Sequence, residues 1–188
     1  MIDFGYGVSL GTISKSQLEK LRKWRNHHEI WRWCRQNDLI SEHDQDAWYS
    51  RIISDSTIKM YTISDHAQVV GVCGLTSIDL HNRRAEFSLY IGPEHQHKGH
   101  GRACLRSLLR HGFDNLGLNI IWGETFEGNH AYSMFESLGF LWEGTRRQFY
   151  YKAGNFVDAE LYSVTREEFE HANITANTSD PNCVGSSN

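Results

Sequence analysis

The spacing of apolar side chains predicts two helices in the first third of the chain. Residues 16–35 carry leucine, isoleucine and tryptophan at roughly helical intervals, and Ser14 with Gln17 forms a capping-box pattern just before them. Ser41 with Asp44 marks a second helix start, ahead of a short amphipathic stretch. We therefore expect two helices before the first run of strands.

Beyond residue 58 the apolar positions alternate with polar ones, which is typical of strands. Residues 59–64 and 69–78, joined by a polar turn, predict a hairpin, and residues 85–91 predict a third strand. Residues 8–10 are compatible with a further strand near the N-terminus. The strands at residues 59–64, 69–78 and 85–91 therefore follow one another without a helix between them.

The second half of the chain returns to mixed patterns. An amphipathic helix, with apolar residues at i, i+3, i+4 and i+7, is predicted from about Gly101 to Leu116. A strand, a short helix and the two strands of a final hairpin follow at residues 118–125, 130–138, 140–151 and 155–164. Residues 171–188 contain almost nothing apolar, and we expect a disordered polar tail there. The order of elements predicts one mixed α/β domain over residues 1–170, with one sheet covered by helices.

The net charge, the lengths of the apolar runs and the cysteine spacing exclude several classes of protein. The formal charge of −4 gives no general attraction to nucleic acid or anionic lipid, and no apolar run is long enough to cross a membrane. The four cysteines stand far apart without a CxxC pair, which favours reduced thiols over a zinc cluster or a disulfide framework. The first residues do not resemble a signal peptide. We therefore expect a cytoplasmic protein with no membrane or nucleic-acid partner.

The most unusual stretch is residues 92–113, where three histidines and two glycines precede the amphipathic helix. His95, His97 and His100 lie on an irregular turn without a fourth ligand at a usual zinc spacing, so we expect no metal there. The phosphate-loop pattern of nucleotide hydrolases is missing, and the dinucleotide fingerprint fails because Cys104 stands where its third glycine belongs. A plain strand-to-helix connection remains an alternative.

Helix geometry favours an anion site in this turn. A helix N-terminus offers unpaired N–H groups and the positive end of the helix dipole. Gly99 and Gly101 let the backbone approach a ligand closely, because no Cβ stands in the way. Lys98 and Arg102 add positive charge beside it. We therefore predict a phosphate-binding cradle at the start of this helix.

The segment Gln96-His-Lys-Gly-His-Gly101 resembles the Q/R-x-x-G-x-G/A signature of the GNAT N-acetyltransferases, in which this loop holds the pyrophosphate of acetyl-CoA. Residues 85–103 are similar to the strand, loop and helix that carry the signature, and residues 135–147 to a late helix and strand. Residues 156–169 resemble the closing segment of the RimJ/RimL-like branch. Residues 24–30 resemble the first helix of that branch and of pseudaminic acid biosynthesis acetyltransferases. The resemblance implies the GNAT fold, a mostly antiparallel sheet splayed between its fourth and fifth strands, with acetyl-CoA as cofactor.

The same resemblance implies where the cofactor and the reacting groups lie. The implied cofactor-binding residues are Leu89, Tyr90, Ile91, Gln96, His97, Lys98, Gly99, His100, Gly101, Arg102, Ala103 and Asn129. Glu86 is the first candidate general base and Glu124 the second. Phe135 stands where many relatives carry the tyrosine that protonates the leaving thiolate. Tyr132 lies on nearly the same helical face and is the candidate substitute.

The acceptor is less closely defined by the sequence. Arg25 and Asn26 fall where the family binds its acceptor, which implies a protein N-terminus, an amino-sugar nucleotide or another small amine. The leading hypothesis is an acetyl-CoA-dependent N-acetyltransferase, and the alternative is a non-catalytic acyl-CoA-binding or sensor domain, favoured by Phe135. A nucleic-acid binder using the basic turn is disfavoured by the acidic total. A homodimer through a sheet edge, common in the family, stays open.

Overall fold

A single eight-stranded sheet forms the frame of the protein, whose computed structural model describes residues 1–178. The strands are β1 (Ile2–Asp3), β2 (Ser9–Thr12), β3 (Lys59–Asp65), β4 (Gln68–Asp79), β5 (Arg84–Ile91), β6 (Ile120–Phe126), β7 (Leu141–Lys152) and β8 (Asn155–Thr165). They lie in the order β1-β2-β3-β4-β5-β6-β8-β7. Every neighbouring pair is antiparallel except β5 and β6. The mixed α/β class and the predicted strands are confirmed.

Within residues 1–178, six α-helices accompany the sheet. They are α1 (Leu18–Asn26), α2 (His28–Trp31), α3 (Glu42–Ser54), α4 (His100–Arg110), α5 (Tyr132–Glu136) and α6 (Arg166–Thr178). The start of α3 matches its sequence signal, because the Ser41 hydroxyl accepts from the Asp44 N–H at 3.1 Å and Asp44 accepts from the Ser41 N–H at 3.0 Å. None of the helices in the described part of the chain is long and apolar enough to cross a membrane.

One helix prediction is wrong in detail. The single helix expected over residues 16–35 is broken at His27, whose ψ of 135° is extended. The His27 ring accepts a hydrogen bond from the Glu29 N–H at 3.4 Å, so the residue caps a new short helix instead of continuing the first one. The spacing of apolar residues does not reveal this break, because the buried residues of both short helices belong to the same hydrophobic cluster.

The structure extends α6 to Thr178, into the segment for which the sequence predicts a disordered polar tail. The helix starts from a reciprocal cap: the Thr165 N–H donates to Glu168 at 2.7 Å, and the Glu168 N–H donates to the Thr165 hydroxyl at 3.3 Å. Phe169 is fully buried, and the Asn173 side chain donates to its carbonyl at 2.7 Å. One cap and one buried ring thus hold a segment of polar composition. The rest of the predicted tail, residues 179–188, lies outside the described residues.

Both faces of the sheet are covered. Buried side chains of α4, among them Leu105, Leu108 and Leu109, pack on one face together with Phe113. Leu21, with other side chains of α1 and neighbouring segments, covers the other face. Each such burial stabilises the fold by about 1.5–3 kcal/mol. The strongly apolar inner face of α4 fixes the direction of its axis, and with it the position of its N-terminus.

The sheet opens between its two parallel strands. Only Arg84, Ala85 and Glu86 of β5 pair with β6, and the last pair joins Glu86 to Trp122. Beyond this point β5 stays paired with β4 and β6 with β8, so the facing edges of the two strands separate. The splay predicted from the family resemblance is therefore present, one strand later in the count because of the two-residue β1.

Candidate functional site

A cavity of about 830 Å³ lies where β5 and β6 separate. Its walls come from the ends of both strands, from the loop before α4 and from residues near α5. The predicted cofactor residues that line it are Leu89, Tyr90, Ile91, Gln96, His97, Gly99, His100, Gly101, Arg102 and Asn129. Lys98 and Ala103 are not among its lining residues. The structure thus brings ten of the twelve predicted positions to one cavity.

The start of α4 faces this cavity without a side-chain cap. Gly99 is the N-cap residue, with a φ of 82° that favours glycine, and its carbonyl accepts the first helical hydrogen bond, from the Ala103 N–H at 3.1 Å. No side chain caps the preceding amides of the first turn. These N–H groups and the helix dipole together fit a phosphate group.

Glycine is favoured at positions 99 and 101 of the turn for different physical reasons. Gly99 adopts a left-handed backbone conformation, so the chain itself favours glycine there. Gly101 has an ordinary helical backbone, and a Cβ on it would lie 3.5 Å from the sulfur of Met134 and 3.9 Å from Ile91, which are normal contacts. The protein therefore has no packing reason for a glycine at 101. A ligand that approaches the backbone closely supplies one.

Two polar side chains of the loop stabilise the loop itself. The Gln96 amide donates to the carbonyl of Ile91 at 3.1 Å, which ties the loop to the end of β5. The Lys98 ammonium donates to the carbonyl of Glu94 at 2.9 Å. Arg102 is exposed and lines the cavity. In this structure Arg102, more directly than Lys98, places positive charge beside the cradle.

The three histidines of the turn point in different directions. His95 is buried edge-on against Trp24, at 6.0 Å between ring centres, and burial lowers its pKa. His100 lies 2.9 Å from the Asp65 carboxylate, and this hydrogen bond lowers the pKa of Asp65. His97 is exposed. Among the described residues, no group of three histidine, cysteine, aspartate or glutamate side chains is placed to hold a metal ion.

Two glutamates from the parallel strands meet at the base of the splay. The side chains of Glu86 on β5 and Glu124 on β6 are 11% and 3% exposed. Both contact Arg35: its Nη2 donates to Glu86, and its Nε lies 2.8 Å from Glu124. Glu124 also accepts from Arg146 at 3.1 Å and from the Tyr150 hydroxyl. Burial and the hydrogen bond to Glu124 raise the pKa of Tyr150 to about 12. Each carboxylate is thus compensated by at least one cation, as burial requires.

Arg35 belongs to residues 32–41, which connect α2 to α3 and which we call the strap. Lys152, at the end of β7, donates to the carbonyl of Cys34 at 2.9 Å and to that of Gln36. Its ammonium also lies 3.8 Å from the centre of the Trp31 ring. Burial lowers the pKa of Lys152. A buried lysine therefore holds the strap backbone on both sides of Arg35.

The two predicted acceptor residues hold the same strap. The Arg25 guanidinium donates to the side chain of Gln36 at 2.6 Å and packs over the Tyr90 ring. The Asn26 side chain donates to the carbonyl of Ile40 and accepts from its N–H, both at 2.9 Å. Arg25 lines the cavity, and Asn26 does not. Direct contact of either residue with an acceptor stays a prediction.

The floor of the splay is aromatic. Phe135 is buried and packs against Phe87 and Tyr162, with 5.4 and 5.3 Å between ring centres. Phe135 lines the cavity but has no proton to donate. Tyr132, the candidate substitute, is 51% exposed and is not among the lining residues. Its role as general acid stays a prediction that the geometry does not favour.

The sequence did not single out Arg35 or Arg146. Both arginines owe their place to contacts between segments far apart in the chain, and nothing in their local sequence marks them. The sequence gives Glu124 as the second candidate base, and its contacts show that its side chain faces the base of the splay. The structure thus adds an arginine pair to the predicted glutamates.

Comparison with known proteins agrees with this geometry. The family model described as "Acetyltransferase (GNAT) domain" matches residues 8–141. The chain is 23% identical to the spermidine N(1)-acetyltransferase of Vibrio cholerae over 164 residues, 86% of this chain and 95% of that protein. It is 24% identical to the acetyltransferase PseH of Campylobacter jejuni over 140 residues, 74% of this chain and 86% of that protein.

One further relative matches over a shorter part. The chain is 30% identical to an uncharacterized N-acetyltransferase, p20, of Bacillus licheniformis over 108 residues, which is 57% of this chain and 61% of that protein. Among solved structures, the spermidine N-acetyltransferase of Vibrio cholerae in complex with CoA and spermine is similar, with a TM-score of 0.83 and 23% identity. That match covers 87% of this chain and 98% of the other. At this identity, the structural likeness supports the fold alone.

Proposed function

Because this chain belongs to the GNAT acetyltransferase family, we propose that it is an N-acetyltransferase that uses acetyl-CoA to acetylate a primary amine of a small cationic acceptor. Acetyl-CoA, when bound, supplies an acetyl group activated as a thioester. The remaining chemistry concerns how this chain binds the two substrates and where the protons go.

The cradle at α4 is the proposed site for the pyrophosphate of acetyl-CoA. Its amides lack a side-chain cap, and Arg102 stands beside them. Residues 89–91 of β5 have no strand partner on the side of β6, so their peptide groups are available to an extended ligand lying in the splay. This arrangement is the observation that carries the proposal, because it joins an anion site to an unpaired strand edge inside one cavity.

Glu86 is the proposed general base. The acceptor's ammonium gives one proton to Glu86, directly or through water, and the resulting neutral amine forms the new nitrogen–carbon bond. The carbon–sulfur bond breaks, and the second proton lost by the amine ends on the thiol product. Glu124 contacts Arg146 and Tyr150 as well as Arg35. We therefore propose that it remains a negatively charged carboxylate beside Glu86 and does not act as the base.

The proposed acceptor class rests on the sign of the buried charges. Two carboxylates line the cavity at the base of the splay, and a cationic group is what can pair with Glu86 in place of Arg35. One relative that aligns along most of this chain is named a spermidine N(1)-acetyltransferase. Spermidine is therefore the first acceptor to test.

A non-catalytic acyl-CoA-binding domain is the second candidate. Two observations favour it: Phe135 cannot act as an acid, and one carboxylate oxygen of Glu86 is paired with Arg35. Such a domain would bind acyl-CoA at the cradle but would not transfer the acyl group to an amine.

A thiol-release assay with acetyl-CoA separates the two. The acceptor panel comprises spermidine, a peptide with a free N-terminus and an amino-sugar nucleotide, and CoA binding is measured separately by calorimetry. We expect CoA to bind and spermidine to be acetylated faster than the other two. Binding of CoA without transfer to any amine would support the non-catalytic domain, and no binding of CoA would reject both.

A further inference from the structure

We infer that the Arg35 side chain occupies the place of the acceptor's cationic group and that the acceptor displaces it from Glu86. This inference rests on the proposed amine acetylation. It assigns a cation site formed by Glu86 and Glu124, and it makes Arg35 a determinant of acceptor specificity.

The first support is the difference between the two carboxylates. Among the described residues, Arg35 is the one cation within ion-pair distance of Glu86, whereas Glu124 also has Arg146 and Tyr150. When Arg35 leaves, Glu124 remains compensated and Glu86 does not. A carboxylate as buried as Glu86 then requires another cation, and an ammonium brought by the acceptor replaces the guanidinium charge for charge.

The second support is that only the side chain of Arg35 has to move. Lys152 holds the strap backbone on either side of Arg35, Arg25 holds the side chain of Gln36, and Asn26 holds the backbone at Ile40. The Arg35 side chain is 47% exposed, although both of its carboxylate partners are buried. Rotation about its side-chain bonds therefore takes the guanidinium into solvent without breaking these anchors.

The third support is chemical. While Arg35 is paired with Glu86, the guanidinium competes with the acceptor's ammonium for this carboxylate. Displacement of Arg35 by the acceptor frees the base at the moment when the amine arrives. A neutral or anionic acceptor offers no charge to replace Arg35, so the exchange selects cationic acceptors.

Methylguanidinium tests this site without any need for catalysis, because it matches the group that Arg35 supplies. Calorimetric titrations compare the full-length wild type with Arg35→Ala, with the double variant Arg35→Ala/Glu86→Gln, and with Arg32→Ala. The Arg32 variant is the matched control, since Arg32 lies in the same strap but packs over Trp33. Coenzyme A binding by each variant shows that its fold is intact.

We expect Arg35→Ala to bind methylguanidinium at least about tenfold more tightly than the wild type and Arg32→Ala do. The double variant Arg35→Ala/Glu86→Gln should bind methylguanidinium no more tightly than the wild type does. In the transfer assay, KM for spermidine should fall in Arg35→Ala, with a smaller change in kcat. If Arg35→Ala loses coenzyme A binding, Arg35→Gln, which keeps a polar side chain without the charge, takes its place.

Equal methylguanidinium affinities of the Arg35 and Arg32 variants would overturn the inference. A gain that survives Glu86→Gln would also overturn it, because the cation would then lie elsewhere. If the Arg35 variant gains the site but the wild type acetylates no amine, the proposed function fails and the cation site stands. The two failures are therefore distinguishable.

Discussion

The ring of Phe87 occupies the space that a side chain at Gly123 would need. Phe87 and Gly123 are the first residues of β5 and β6 beyond the last parallel pair, Glu86 with Trp122. A Cβ on Gly123 would collide with three atoms of the Phe87 ring. The ring in turn packs against Phe135. One aromatic side chain facing one glycine thus stands at the point where the two strands separate.

This relationship predicts that Gly123→Ala is destabilising. The added methyl group must push the Phe87 ring into its aromatic neighbours, and overpacking of this kind costs about 1–3 kcal/mol of unfolding free energy. Urea unfolding measures the loss. A second change, Phe87→Leu, provides the control, because the double variant should lose less stability than the two single losses added together. Strict additivity would show that the two side chains do not compete for one space.

The two glycines of the cradle should respond in opposite ways. Gly101→Trp should weaken coenzyme A binding by about tenfold or more, because the indole fills the space in front of the α4 amides, while the unfolding free energy stays near that of the wild type. Gly99→Ala should instead lower the unfolding free energy by about 1–2 kcal/mol, because its left-handed backbone strains a residue with a Cβ. Calorimetry and urea unfolding measure the two effects. Normal coenzyme A affinity in Gly101→Trp would contradict the cradle.

Glu86→Gln should lower kcat by roughly a hundredfold or more, because the amide cannot accept the acceptor's proton. Coenzyme A affinity should not change, since Glu86 lies at the base of the splay and not at the cradle. Glu127→Gln removes an exposed carboxylate just beyond β6 and is the matched control. Steady-state kinetics and calorimetry check the prediction. An unchanged kcat would take Glu86 out of the mechanism.

The protein should lose stability on mild acidification through His111. This histidine is buried, its Nε2 lies 2.9 Å from the Tyr61 hydroxyl, and burial lowers its pKa from the ordinary 6.5. The unfolded chain therefore takes up more protons than the folded one between the two pKa values. The contribution of His111 is complete above about pH 6.5 and declines as the pH falls through the folded-state pKa.

Thermal unfolding at about pH 7.5 and about pH 5.5 measures this effect. His111→Gln should show a smaller fall in Tm between the two pH values than the wild type does. The exposed His43 serves as the control, and His43→Gln should keep the wild-type fall. A fall of the same size in His111→Gln would assign the acid sensitivity to other groups.

The sequence was sufficient where local chemistry determines structure. The alternating strands, the apolar face of α4 and the capping box at Ser41 all depend on residues close in the chain, and the structure has them in place. The break at His27 and the helix over residues 171–178 were missed, because each depends on a particular hydrogen bond or on one buried ring. Composition averages over such single contacts.

The candidate site likewise has one part that local sequence predicts and another that depends on contacts between distant residues. The cradle is one continuous segment, so its glycines and its helix start could be recognised together. The pair formed by Glu86 and Arg35 joins residues 51 positions apart, and only the folded chain shows it. Tyr132 was chosen by helical spacing, but its helix turns that side chain toward solvent. The spacing of residues along a helix shows which side chains share a face of that helix. It does not show whether that face packs against the protein or is exposed to solvent.

The bond from Lys152 to the carbonyl of Gln36 spans 116 positions of the chain. A ribosome therefore releases the strap long before it makes the lysine that fastens it, whereas β5 and α4 are complete by residue 110. A nascent chain that ends after β6 therefore contains the residues of the cradle but not the lysine that holds the strap. The residues of the proposed phosphate site are thus synthesised before the residue that holds the strap on the acceptor side.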